Sequence, residues 1–334
     1  MSRQVNSNIA KLLDGLGLDG EENSICDFTI ADQNSVAESQ GITPTTPSNF
    51  KPVLGSNVTY VVACVIINES NEVLMMQEAK ESCAGKWYLP AGRMEKGETI
   101  AQAAAREVLE ETGLECKPTT LLVVESAGGM WYRFVFIGEV LRGELKTPAK
   151  ADKESLQAKW IANLQEISLR SNDILHLIEK AQLYKQNKLE GGLWHNDTLP
   201  APTPHTKDIL RLIVVIKKRS TNKLHVLLSE KTAIHFPTCE INPAKSIHST
   251  LRRFMVEMFG ADVGQHRPLG LLNVEHDPSL DGCCLTMLVA FRAPLEEVPL
   301  IGKCVWQEVS SDVENKLLSI ITTKHSSIEL HVVR

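Results

Sequence analysis

The feature that most constrains this chain is a cluster of acid on one short stretch of helix. Glu107, Glu110 and Glu111 stand at i, i+3 and i+4. At about 100° per residue they share roughly a 100° arc. Thr99 with Gln102 three residues later forms a capping-box start, and Ala101, Ala103, Ala104 and Ala105 are strong helix formers. Gly113 is a left-handed stop. Beside the acidic arc the pattern predicts an apolar face of Ala101, Ala105, Val108 and Leu109. Three like charges on one face repel, and they sit where the helix dipole disfavours negative charge. One reading is a solvated acidic face with Arg106 pairing Glu110. The other is a bound divalent cation, which turns the repulsion into ligation. Carboxylate oxygens suit hard Mg²⁺ or Mn²⁺, which also bind phosphates.

Around this helix the pattern alternates strand and helix. Residues 58–67 read as a buried strand, 68–71 as a turn and 72–77 as the returning strand of a hairpin. Residues 87–90 are a short extended piece ending in a Pro-Ala-Gly turn. Residues 121–125 and 131–140 read as strands, and 173–184 as a second helix. Residues 1–55 read as a flexible arm, with a weak amphipathic stretch at 9–18 interrupted by Gly15 and Gly17. Residues 187–204, with a Gly-Gly pair and three prolines, read as a linker. That leaves 56–186 and 205–334 as two α/β domains, reasonable for a chain of 334 residues.

Composition narrows the partners. A formal net charge of −6 argues against a nucleic-acid polymer, which needs clustered Lys and Arg. No stretch reaches the ~20 apolar residues of a membrane span, so no membrane partner is expected. Eight cysteines without a CxxC pair suit reduced thiols in the cytosol, with the nucleus also open.

The stretch 92–114 resembles the signature of the Nudix hydrolases, Gly-x5-Glu-x7-Arg-Glu-U-x-Glu-Glu-x-Gly-U with U aliphatic. Gly92, Glu98, Arg106, Glu107, Val108, Glu110, Glu111, Gly113 and Leu114 all agree. In the lead-in, Ala91 stands where the family usually has Gly. The resemblance implies an α/β/α sandwich with a mixed sheet and water attack on a phosphorus of a nucleoside diphosphate derivative. It implies metal ligation by Glu107, Glu110, Glu111 and the Ala91 carbonyl, with Glu107 alternatively the general base. Glu98 and Arg106 are expected to brace the preceding loop against the helix, and Glu98 also to reach toward metal. Glu154 resembles the position of a more distant ligand or base, with Asp152 as its competitor. Further stretches around the signature resemble one animal subgroup, the 8-oxo-dGDP phosphatases, which implies oxidised guanine nucleoside diphosphates as substrates. Other open readings are an ADP-sugar or dinucleotide pyrophosphatase and a Nudix fold used only to bind nucleotide. Trp87, Trp131 and Trp160 are candidates for stacking on a base.

The second half echoes the first. Residues 211–230 repeat the strand–turn–strand order of 60–78, and His235-Phe236-Pro237 parallels the Trp87–Pro90 stretch. Residues 252–260 fall on 105–113, pairing Arg253 with Arg106, Glu257 with Glu110 and Gly260 with Gly113. Phe254 and Met258 replace Glu107 and Glu111. Residues 205–334 are therefore expected to be a degenerate Nudix-like domain without catalysis.

Overall fold

A computed structural model describes residues 2–20, 25–191, 195–260, 266–291, 300–301 and 303–333. In chain order the elements are α1 (Ser2–Leu13), α2 (Ile30–Ser39), β1 (Thr59–Val65), β2 (Val73–Glu78), β3 (Trp87–Tyr88), β4 (Ala91–Arg93), α3 (Ile100–Thr112), β5 (Leu114–Ala127), β6 (Trp131–Gly143), β7 (Ser155–Ile161) and α4 (Leu175–Leu189). They continue with β8 (Ile209–Lys217), β9 (Leu224–Ser229), β10 (Thr238–Glu240), α5 (Ile247–Phe259), β11 (Arg267–Glu275), β12 (Cys284–Phe291), β13 (Cys304–Glu308), α6 (Ser311–Thr322) and β14 (Glu329–Val332). The chain forms two compact units. The first is Thr59–Glu125 with Tyr132–Leu199; the second is Met1–Val58, Ser126–Trp131 and Pro200–Arg334.

In the first unit, β1 and β2 begin as the expected hairpin. Asn68 N–H bonds the Glu72 carbonyl at 3.0 Å, and Asn71 takes a positive φ of 63°. The strands then part. β1 joins the order β5-β6-β1-β4, while β2 joins β3-β2-β7. The extended piece also differs from expectation: Ala91 and Gly92 are strand rather than turn, paired antiparallel with Ala63 and Val62. Successive strand residues face opposite sides. Ala63 and Val65 pack with Leu177, Ile178 and Ala181 of α4. Val62, opposite Gly92, therefore faces the other way, the side on which α3 lies against β1, β4 and β7. The result is two helical layers with β-structure between them.

The second unit repeats this plan. Its sheet has the order β11-β12-β8-β9-β13, with β10 paired to β8 as β4 is to β1. The Leu212 N–H bonds the Pro237 carbonyl at 2.8 Å, as the Cys64 N–H bonds that of Pro90 at 3.1 Å. This register matches Thr238 to Ala91, Cys239 to Gly92 and Glu240 to Arg93. α3 and α5 are both 13 residues long and end at left-handed glycines, Gly113 and Gly260.

The flexible arm expected over residues 1–55 is corrected by the structure. α1 starts earlier than the weak amphipathic stretch and ends before Gly15, so neither glycine interrupts it. Val5, Ile9, Leu12, Leu13 and Leu18 are buried against Ile213, Leu228, Leu288 and Leu317 of the second unit. A helix this short is marginal alone and is held by that packing. The linker expected at 187–204 is also largely pinned. α4 runs to Leu189, the Leu121 N–H bonds the Thr198 carbonyl at 2.8 Å, and the Ala201 N–H bonds that of Val274 at 2.8 Å.

Candidate active site

α3 starts and stops where its sequence dictates. The Thr99 hydroxyl accepts the Gln102 N–H at 3.1 Å, and the Gln102 side chain accepts the Thr99 N–H at 2.8 Å. Its buried face is not the expected one. Leu109 is 45% exposed, while Ile100, Ala103, Ala104, Glu107, Val108, Glu111 and Thr112 are buried. The helix is turned so that two of its glutamates face β4: Glu107 is 7% exposed and Glu111 is 3% exposed. Buried carboxylates are costly unless they are partnered.

Glu111 takes its partner from the edge of β4, and Glu107 takes Arg106. In the register with β1, Ala91 and Arg93 occupy positions that send their backbone groups away from β1. The Ala91 N–H donates to Glu111 Oε2 at 2.8 Å, and the Arg93 carbonyl accepts from Arg106 at 3.0 Å. By the same register the Ala91 carbonyl is free of the ladder on that side. Gly92 makes the close approach possible. A Cβ there would lie 2.1 Å from the Glu107 carboxyl carbon, so any side chain excludes the carboxylate.

Arg106 is the hub. Its guanidinium grips Glu98 at 3.0 and 2.8 Å and reaches Glu107 at 2.8 Å and Glu110 at 3.0 Å. Glu98 also accepts the Glu95 N–H at 2.6 Å, which ties the loop to the helix. Burial would raise the Glu98 carboxyl, but these donors outweigh it and hold it below its ordinary value. Glu107 is raised, first by burial and then by Glu110 and Glu154, against the pull of Arg106. Glu111 is raised well above the ordinary carboxylate range. Burial is the main cause, Glu107 and Glu78 add to it, and the Ala91 N–H opposes it. Glu110 remains 44% exposed at the rim.

The geometry is a cradle of carboxylates with one strand edge of backbone beside it, a donor set suited to a hard cation and phosphate. A NUDIX domain matches residues 58–179. The 8-oxo-dGDP phosphatase NUDT18 of Homo sapiens is 39% identical over 79% of this chain and 84% of its own. The chain belongs to the Nudix family. The zebrafish (Danio rerio) protein of the same name is 35% identical over 92% of this chain and 91% of its own. An ADP-ribose pyrophosphatase of Methanocaldococcus jannaschii is 40% identical over 33% of this chain and 67% of its own.

Of the remaining Nudix positions, Glu154 lies immediately before β7, close enough to raise Glu107; its ion pair with Lys153, at 3.4 Å, is an exposed one. Asp152 is spent elsewhere. It holds Lys146 at 2.9 and 3.0 Å and accepts the Glu154 and Ser155 N–H groups, so it braces this turn. The three tryptophans offered for base stacking lie in different surroundings. Trp87 is core, packed with Met75, Leu177 and Ile178. Trp160 is half-buried on β7 opposite Leu74, and Trp131 belongs to the second unit. No sequence pattern marks Glu78, a lone acid ending an apolar strand, or Arg170, which donates to it at 2.6 Å.

The second unit holds a different buried cluster, His205, Glu275 and Cys284. His205 lies 2.9 Å from Glu275, whose other oxygen takes Arg211. Burial pushes the Cys284 thiol up to about 12. An arginine already neutralises this acid, and the thiol is held protonated, so the cluster suits an internal ion pair better than a cation.

Proposed function

We propose that the first unit hydrolyses 8-oxo-dGDP and 8-oxo-GDP to the monophosphate and phosphate, using Mg²⁺ or Mn²⁺. The extent of the likeness carries the substrate class: relatives named 8-oxo-dGDP phosphatase match through both halves of the chain, with about nine-tenths of each covered in the zebrafish comparison. The carboxylates support the chemistry. Glu107 and Glu111 are kept in place although burial penalises both, and Gly92 is shaped to admit one of them. That donor set fits a divalent cation.

In this reading Glu110, Glu111 and the Ala91 carbonyl hold the cation, with Glu107 and Glu154 beside them. The bound cation supplies charge neutralisation for the phosphoryl oxygens and acidifies a nearby water. Glu107 is best suited to accept the proton of the attacking water. Arg106 holds it in place, whereas Glu111 is tied to the Ala91 N–H. Arg106 and Glu98 keep Glu107 aimed and tie down the loop before the helix. Hydrolysis of the diphosphate then needs little more from the protein than position and charge.

Phosphate and monophosphate release with Mg²⁺ tests this on 8-oxo-dGDP, 8-oxo-GDP, dGDP, 8-oxo-dGTP and ADP-ribose. The two oxidised diphosphates should give the highest kcat/KM. A preference for ADP-ribose would favour the pyrophosphatase reading, to which the archaeal relative lends support. No turnover on any of them would favour a binding module.

A further inference from the structure

Glu78 ends β2, opposite Ser155 of β7. Ser155 in turn donates to the backbone carbonyl of Glu111 at 2.6 Å. The ends of β2, β7 and α3 thus converge, bringing Glu78, Glu154 and Glu111 to one edge of the first unit. The Glu78 side chain is 1% exposed. Its Oε1 accepts from Arg170, whose guanidinium stacks 4.7 Å from the Tyr88 ring centre. Its Oε2 is buried and has no hydrogen-bond partner among the described residues. An unpaired buried acceptor is expensive, and a charged one more so. The cost is compounded by a second buried acid close by, since Glu78 is among the charges that raise Glu111. A structure that needed only an anchor for Arg170 would be served by one oxygen and by a neutral amide.

We infer that Glu78 is a further acid of the cation site, presenting its free Oε2 to the divalent ion or to one of that ion's waters while Arg170 holds Oε1. A cation there satisfies the orphan oxygen and removes the repulsion with Glu111 in one step. Arg170 fixes the carboxylate's orientation from behind, as the outer partners of ligating carboxylates do. The inference rests on the cation site proposed above, and it adds a member from outside the helix that carries the family's signature.

The test uses Mn²⁺ with the nucleotide-free full chain, reading free ion by electron paramagnetic resonance. Glu78→Gln keeps an oxygen for Arg170 and removes the negative charge. Its Mn²⁺ affinity should fall at least about tenfold, the lower end of what such outer positions cost. Arg170→Gln leaves the Glu78 charge in place and frees only its orientation, so its loss should be smaller than that of Glu78→Gln. If Glu78→Gln does not fold, the double variant Glu78→Gln with Arg170→Gln removes both charges of the pair and should show the same loss. Unchanged affinity in the folded Glu78 variant, beside a clear loss in Glu110→Gln, overturns the role of Glu78 and leaves the cation site standing. If Glu110→Gln binds Mn²⁺ as the unaltered chain does, the cation site itself fails and the role of Glu78 with it.

Discussion

In the first unit Gly92 leaves room for the Glu107 carboxylate; in the second, Cys239 and Phe254 stand at the matching positions, both buried. The Ala91 N–H goes to the carboxylate of Glu111 at 2.8 Å. The matching Thr238 N–H goes to that of Asp27, also at 2.8 Å. Asp27 further donates its own N–H to the Thr238 carbonyl at 2.9 Å, the counterpart of the Ala91 carbonyl. The Glu240 N–H bonds the Phe28 carbonyl at 3.1 Å, and the Phe28 ring stacks on Phe254 with centroids 6.0 Å apart. The same strand edge is therefore used in two ways. In one unit it is left to polar side chains. In the other a piece of extended chain runs along it, and an aromatic pair fills the place of the acids. The backbone plan is shared; whether it can do phosphate chemistry depends on what covers β4 or β10.

The sharpest way to break this contrast is Glu110→Gln against Glu257→Gln. The first should lower kcat by at least about 100-fold, roughly 2.7 kcal/mol of transition-state stabilisation, with folding intact. The second should leave steady-state kinetics unchanged. A comparable loss from Glu257→Gln would mean that the second unit takes part in catalysis.

Next is Ile9→Ala in α1. It removes a fully buried side chain and should cost the second unit about 2–5 kcal/mol in chemical denaturation. A loss within error would return α1 to the status of an arm. Gly92→Ala is the smaller packing change. The Cβ meets the far end of the flexible Glu107 side chain, which can swing aside, so stability should change by less than about 1 kcal/mol while kcat falls as Glu107 is displaced. Normal kcat there would show that Glu107 is dispensable where it now sits.

The smallest expected effect is a pH dependence. Burial would lower His235, but its bonds to Asp27 at 3.0 Å and to the Ala233 carbonyl outweigh it and raise it above 6.5. A raised histidine stabilises the folded state fully below its unfolded pKa, and that contribution is lost as pH rises through the folded value. The second unit's melting temperature should therefore fall modestly from about pH 6.5 upward. Asp27→Asn should flatten that slope. An unchanged slope in the variant would remove Asp27 as its cause.

What was legible in the sequence is what local chemistry fixes. Thr99, Gln102 and Gly113 set the limits of α3 without outside help, and the ligand types on its acidic face are dictated by the cation they suit. The face that α3 buries was not legible, because Gly92, which accepts Glu107, lies on another element and announces itself only as a small residue. The parting of β1 from β2 depends on strands that pair much later in the chain. Glu78 has no local pattern at all; its meaning comes from Ser155, Arg170 and Glu111, which only the fold assembles. Residues 25–33 fall within the expected flexible arm for the same reason, since their partners lie around Thr238 and Glu240.

The discontinuity of the second unit bears on how the chain is made. Asp27 must wait for Thr238, 211 residues later. At about 5–20 residues per second on the ribosome this is roughly 10–40 s. Within that interval the whole of the first unit, through Leu199, emerges ahead of β8. The unit whose chain starts later is thus complete first, and α1 carries its apolar side unshielded in the meantime. A truncation after residue 204 would make that temporary state permanent. It would keep every residue of the first unit and still be expected to aggregate through Val5, Ile9 and Leu12, a surface that removing residues 1–58 as well would take away.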